Sequence, residues 1–305
     1  MKKLLCSFFI VYMLFPSFAF GTSEKQNDNR PIIAVSFNAI HELVAAVAGD
    51  NVRIVSLIPD TADAHHYEPR RADLENLSKA DMLFINGLGM EPWIENLVNK
   101  NLFPKEKCID LSQGHTLIQL KDEHASHGHT HEGHEHGEYD PHIWLGLSDL
   151  AAMATKVADA LSTLDPAHAS YYKAHAQEFS NELAALQNEY REKFSEKKQK
   201  YIVVGHNAFA YLCRDFNLEQ RSVKDTFNGG EASAKMLAEL VNFCKENHIK
   251  VIFSEVMASP EVSQTLARDA GAKLETLYTL EQAADNLSIL ERQKRNLEKI
   301  YRSLD

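Results

Sequence analysis

The chain has 305 residues, 44% of them hydrophobic, and a formal charge of −11 from 43 acidic and 32 basic side chains. That balance lacks the basic footprint a nucleic-acid binder needs, and net charge by itself names no ligand. With 15 histidines against four cysteines, the chemistry to look for is that of imidazole.

The first segment reads as an export signal. Lys2 and Lys3 precede an apolar run from Leu4 to Phe15, and Ala19-Phe20-Gly21 offers a small-x-small cleavage pattern. Cleavage is expected after Gly21, which makes residues 1–21 a signal peptide. The run is too short for a membrane span, and Cys6 comes too early in it to carry a lipid. The expectation is a periplasmic protein with no stable membrane insertion after cleavage, working as a monomer. Losing two lysines with that segment takes the formal charge from −11 to −13.

From residue 31 onward β-rich runs alternate with helical patterns. Strands are expected over Pro31–Phe37, Val52–Ile58, Met82–Asn86 and Lys107–Leu111, with helices at Ile40–Ala48, Arg71–Ala80 and Trp93–Val98. Such alternation argues for a parallel sheet covered by helices. Tyr201–Gly205, Val251–Ser254 and Leu274–Tyr278 repeat the style in the second half. Between the halves, Phe179, Leu183, Leu186, Tyr190 and Phe194 recur at helical steps. Asp165-Pro166 is a good helix start, and a helix over 166–195 would run about 45 Å. The fold class is therefore α/β: two lobes, each a parallel sheet flanked by helices, joined by a long rigid helix. The expected divisions are an N-terminal lobe at 31–164, a linking helix at 165–198 and a C-terminal lobe at 199–305. Of the cysteines that remain after cleavage, Cys213 and Cys244, both in the C-terminal half, are the expected couple in an oxidising compartment.

One stretch breaks the alternation. Residues 122–138 (DEHASHGHTHEGHEHGE) hold almost no apolar side chain and cannot bury a core. His124, His127, His129, His131, His134 and His136 crowd there, and neutral imidazoles are good zinc ligands. A flexible segment must be ordered when it binds, which limits affinity, so these six are read as an accessory metal loop. Elsewhere, His65 and His66 follow a strand in the loop Asp60–Arg70, and His206 ends the strand Tyr201–Gly205. Ligands of open α/β sheets collect at the carboxyl ends of strands. His142 lies in Asp140-Pro141-His142-Ile143-Trp144, directly after the His-rich insertion. His168, His175 and His248 fall on polar helix faces and are expected to be solvated.

The segments Ala64-His65-His66-Tyr67-Glu68-Pro69, Asn86 to Trp93 (NGLGMEPW), Asp140 to Leu145 (DPHIWL), Val204-Gly205-His206, Phe253-Ser254-Glu255 and Arg295-Asn296-Leu297-Glu298 carry a resemblance in their order and spacing. The chain resembles the periplasmic solute-binding proteins of ABC transporters for zinc and manganese, most closely the zinc-uptake (ZnuA-like) branch. The resemblance spans the mature chain and implies that His65, His142 and His206 are metal ligands, with Glu281 as the candidate fourth and water as its substitute. The family pattern places histidine two residues before tyrosine, which selects His65 over His66. It implies an inner-membrane ABC permease as partner.

Three imidazoles and one oxygen suit tetrahedral Zn²⁺, with Zn–N bonds of roughly 2.0–2.1 Å. Manganese prefers more carboxylate, so Zn²⁺ is the expected ion and Mn²⁺ the alternative. Affinity is expected to fall as pH drops through about 6.5, where imidazole protonates. Glu255 is expected either to hold a ligand histidine through its second ring nitrogen or to stand as a surface carboxylate. Tyr67 and Trp144 read as packing residues. Two other classes compete: a zinc hydrolase, which no H-E-x-x-H motif supports, and a metal buffer acting through the His-rich loop alone.

Overall fold

The structure, a computed structural model, describes residues 28–120, 138–224, 233–255 and 260–305. The expected signal peptide and the six histidines of the accessory loop lie outside the described residues.

Strands β1 (Ile32–Val35), β2 (Arg53–Ser56), β3 (Met82–Ile85) and β4 (Cys108–Asp110) pair in parallel in the order β2-β1-β3-β4. Parallel neighbours need crossovers, and α1 (Asn38–Ala48), α2 (Arg71–Leu77) and α3 (Pro92–Asn99) lie between the strands in sequence. The two central strands are apolar throughout because both their faces are covered. Ile33, Val35 and Phe84 enter one core cluster, while Ala34, Leu83 and Ile85 enter another on the opposite face.

A second sheet has the same strand order. Strands β5 (Tyr201–His206), β6 (Glu219–Lys224), β7 (Val251–Glu255) and β8 (Lys273–Leu277) run parallel as β6-β5-β7-β8. Around it lie α6 (Ala210–Phe216), α7 (Ala234–Glu246), α8 (Glu261–Ala270) and α9 (Ile289–Ser303). β6 (EQRSVK) is not among the strands expected from sequence. It lies at the edge of the sheet, where polar side chains reach water, so it carries no apolar run.

Helix α4 (Leu147–Leu164) and the 27-residue α5 (Ala169–Ser195) pack on each other, separated by a short 3-10 turn at Pro166–His168. The predicted stripe of α5 is its buried face: Phe179, Leu183, Leu186, Tyr190 and Phe194 are all in the core. At about 40 Å, α5 touches α1 beside the first sheet and α6 and α9 beside the second. No helix among the described residues is long and apolar enough to cross a membrane.

The expected cysteine pair is not formed: among the described residues Cys108, Cys213 and Cys244 are free. Cys213 belongs to the core cluster that includes Val204, whereas Cys244 belongs to the one that includes Val203. Adjacent residues of a strand point to opposite faces, so the body of the second sheet stands between the two thiols.

Candidate metal centre

Three segments bring imidazoles together: the loop after β2, the turn before α4 and the carboxyl end of β5. His65 sits on a 3-10 turn, Ala64–His66, where the chain leaves β2. Asp63 starts that turn by accepting the His65 backbone N–H at 2.9 Å, and Ala64 anchors it in the core. His66 diverges: its side chain is 59% exposed and faces Asp63 at 3.1 Å. His41 and His115 are engaged elsewhere, with Ser56 and Asp149.

His142 is fully buried. Asp140 folds the turn from within, accepting the His142 backbone N–H at 2.9 Å and facing its Nδ1 at 2.8 Å. A carboxylate on Nδ1 places the ring proton there and leaves Nε2 as a lone-pair donor. That Nε2 is buried and has no hydrogen-bond partner among the described residues. The carbonyls of the two preceding residues are also taken: Asp140 O accepts from Tyr211 Oη at 2.8 Å and Pro141 O from Asn86 Nδ2 at 2.8 Å. Asn86 in turn belongs to a loop whose N–H groups, at Asn86 and Gly87, donate to the buried Glu91 at 2.9 and 3.0 Å.

His206 is the last residue of β5, and its backbone N–H donates to Glu255 Oε1 at 2.8 Å. Gly205 makes the approach possible, since a Cβ there would lie 2.9 Å from Glu255 Oε2 and 3.0 Å from Ser263 Oγ.

His65, His142 and His206 each offer a nitrogen within 4.8 Å of the other two, the one such group among the described residues. Ring centroids are 5.2 Å apart for His65–His142, 5.6 Å for His65–His206 and 4.9 Å for His142–His206. One tetrahedral ion with bonds near 2 Å needs donors about 3.4 Å apart, so the trio is within small side-chain rotations of a three-nitrogen site. Burial pushes His142 down to about 3. Burial, and then the neighbouring His142 and His206, hold His65 well below the usual imidazole range. Burial thus favours the neutral, metal-binding form of both rings.

Glu281 stands outside the group. Burial, followed by the charge of Asp63, pushes its carboxyl up to about 8. Its loop is pinned through four successive carbonyls. Thr279 O accepts from Trp144 Nε1 (2.7 Å), Leu280 O from Asn38 Nδ2 (3.2 Å), Glu281 O from Asn38 N (3.3 Å) and Gln282 O from Arg292 Nη1 (2.7 Å). Trp144, expected only to pack, thus also holds this loop. Sequence reasoning missed Asp140, although an aspartate two residues before a histidine is a recognisable local hydrogen-bonding pattern. It also missed Asn86, Glu91 and Tyr211, whose links to the site are distant in sequence.

A family model described as zinc-uptake complex component A, periplasmic (ZnuA) matches residues 33–303. A Treponema pallidum (strain Nichols) protein named for metal binding is 41% identical over 280 residues, covering 90% of this chain and 87% of that protein. Zinc-binding lipoprotein AdcA of Streptococcus pneumoniae serotype 4 (strain ATCC BAA-334 / TIGR4) is 32% identical over 278 residues. This covers 91% of the chain but 54% of AdcA, so the chain spans little more than half of that relative. Among solved structures, ZnuA superposes with a TM-score of 0.78 at 32% identity, covering 91% of this chain and all of that one. A ZnuA deletion mutant with zinc bound gives 0.75 at 32% identity, covering 91% and 99% of the two chains.

Proposed function

The chain belongs to the ZnuA family of periplasmic zinc-uptake components, a family of transport binding proteins and not of enzymes, and from that premise we propose that it captures Zn²⁺ in the periplasm and delivers it to an inner-membrane ABC permease. The observation that carries the reading is the convergence of His65, His142 and His206 within 4.8 Å. Three buried imidazoles form a donor set that favours zinc over manganese. The related AdcA, a zinc-binding lipoprotein, and the zinc-bound ZnuA deletion mutant support the same choice.

In this reading His65 and His142 belong to the first lobe and His206 to the second. The metal then lies between the lobes, and its binding favours one arrangement of them for a permease to recognise. Glu281 or water completes the coordination. The His-rich histidines at 124–136 gather metal without forming the principal site. Export through the signal segment 1–21 places the protein where the permease can reach it.

Calorimetric titration of the full mature protein with zinc and manganese tests this. Tight zinc binding is expected, with a large loss in His206→Ala. Unchanged affinity in that variant would overturn the site, and tighter manganese than zinc binding would overturn the metal. A variant lacking residues 124–136 separates this reading from a buffer acting through the loop, because tight binding then survives.

A further inference from the structure

We infer that Tyr211 is a positioning residue for metal capture, its hydroxyl carried by the His206 segment and clamping the turn that presents His142. This inference rests on the zinc site proposed above. Tyr211 lies on α6, five residues after His206, so β5 and α6 deliver both side chains as one unit. Its hydroxyl donates to Asp140 O at 2.8 Å and accepts from the Ile118 N–H at 3.2 Å. Those two atoms lie on a short antiparallel stem. Gln119 bridges Tyr139 there, and the Asp140 N–H donates to Ile118 O at 2.9 Å. The stem leads directly into Pro141 and His142. One hydroxyl therefore holds both strands of the stem on which His142 stands.

The neighbouring contacts reinforce the link. One turn further along α6, Arg214 Nη1 donates to Thr116 O at 2.6 Å, its other amino group pairs with Asp149, and its guanidinium lies 4.9 Å from the Tyr211 ring centroid. The Tyr211 ring is fully buried in the main core cluster. Burial pushes its hydroxyl up to about 12, so it remains a donor throughout the working pH range. Asn86 grips Pro141 from the first lobe while Tyr211 grips Asp140 from the second. These two side-chain hydrogen bonds to the backbone hold the turn that keeps the His142 ring 4.9 Å from that of His206. The aromatic ring packs and the hydroxyl positions, so removing the hydroxyl alone separates the two roles.

Tyr211→Phe in the full mature protein makes that separation, and Tyr172→Phe is the control. Tyr172, on α5, is also fully buried, and its hydroxyl donates at 2.7 Å to Asp165, which caps the end of α4 remote in sequence from His142. Zinc affinity is read by chelator competition, and the coordination geometry by the visible bands of bound Co²⁺. Tyr211→Phe is expected to weaken zinc binding about 10- to 100-fold, the range for a lost partner behind a metal ligand, and to change the Co²⁺ bands. Tyr172→Phe should leave both unchanged. A Tyr211→Phe protein with wild-type zinc affinity and Co²⁺ spectrum would overturn the inference, as would equal weakening in both variants. Absence of tight zinc binding in the wild type would instead remove the site itself.

Discussion

The indole N–H of Trp144 donates to the carbonyl of Thr279 at 2.7 Å, so the residue two places after His142 holds the loop that carries Glu281. Trp144 is fully buried, edge-on to Phe37 at 4.8 Å and tilted against the His142 ring at 5.2 Å. It joins a strand end of the first sheet to one of the second, on the rim where the histidines meet.

Replacing Trp144 by Phe keeps an aromatic ring but orphans the Thr279 carbonyl. A buried acceptor left unsatisfied costs about 1–3 kcal/mol, and the lost ring volume adds to it. Urea unfolding of the metal-free protein should show this loss. A variant as stable as wild type would mean that water or another donor replaces the indole.

Gly205→Ala tests the close approach at the His206 strand end. The new methyl meets the Glu255 carboxylate and Ser263 hydroxyl at about 3 Å, closer than a Cβ tolerates. Overpacking of this kind costs about 1–3 kcal/mol, and displacement of Glu255 from the His206 amide should weaken zinc binding at the same time. Thermal unfolding without metal and a zinc titration measure the two effects. Loss of stability with wild-type affinity would detach Glu255 from metal binding.

Glu91 supplies a pH signature. Burial pushes its carboxyl up to about 8 despite two backbone donors, against about 4.3 in the unfolded chain. Between those values the folded state holds the extra proton, so this group's contribution is full below about pH 4.3 and is lost as pH rises to 8. Glu91→Gln cannot titrate. Its unfolding free energy, measured in urea from pH 5 to 8, should fall less steeply than that of wild type, by up to about 1.4 kcal/mol per pH unit. Parallel curves would place the Glu91 pKa outside this window.

Glu281 makes its own prediction through proton release. With its carboxyl up at about 8 in the metal-free protein, it is protonated at pH 7 and must lose that proton to become a ligand. Zinc calorimetry at pH 7 in buffers of different ionisation enthalpy should give about one proton more for wild type than for Glu281→Gln. Equal release would assign the fourth position to water.

The parts of this fold that sequence made legible are those where burial alone dictates residue type. β1 and β3 are covered on both faces and read as unbroken apolar runs, and the α5 stripe from Phe179 to Phe194 repeats with the helix. β6 escaped because an edge strand needs no such run, and α4 was not singled out despite its buried stripe from Leu147 to Leu161. Cys213 and Cys244 misled because chain proximity says nothing about sheet face. At the candidate site, the trio His65, His142 and His206 followed from family segments, while its supports did not. Tyr211 acts on a residue 71 positions away and Trp144 on one 135 away, and such pairings exist only once the chain has folded. Asp140 lay within reach of sequence reasoning, two residues from the ring it orients.

The repeated strand order of the two sheets has a consequence for how the molecule is assembled. Neither half holds the donor set: a chain folded only as far as α4 presents two of the three imidazoles, and the second sheet alone presents one. At the site proposed above, metal would therefore act as a coincidence test, retained only by a molecule whose halves have both folded and found each other.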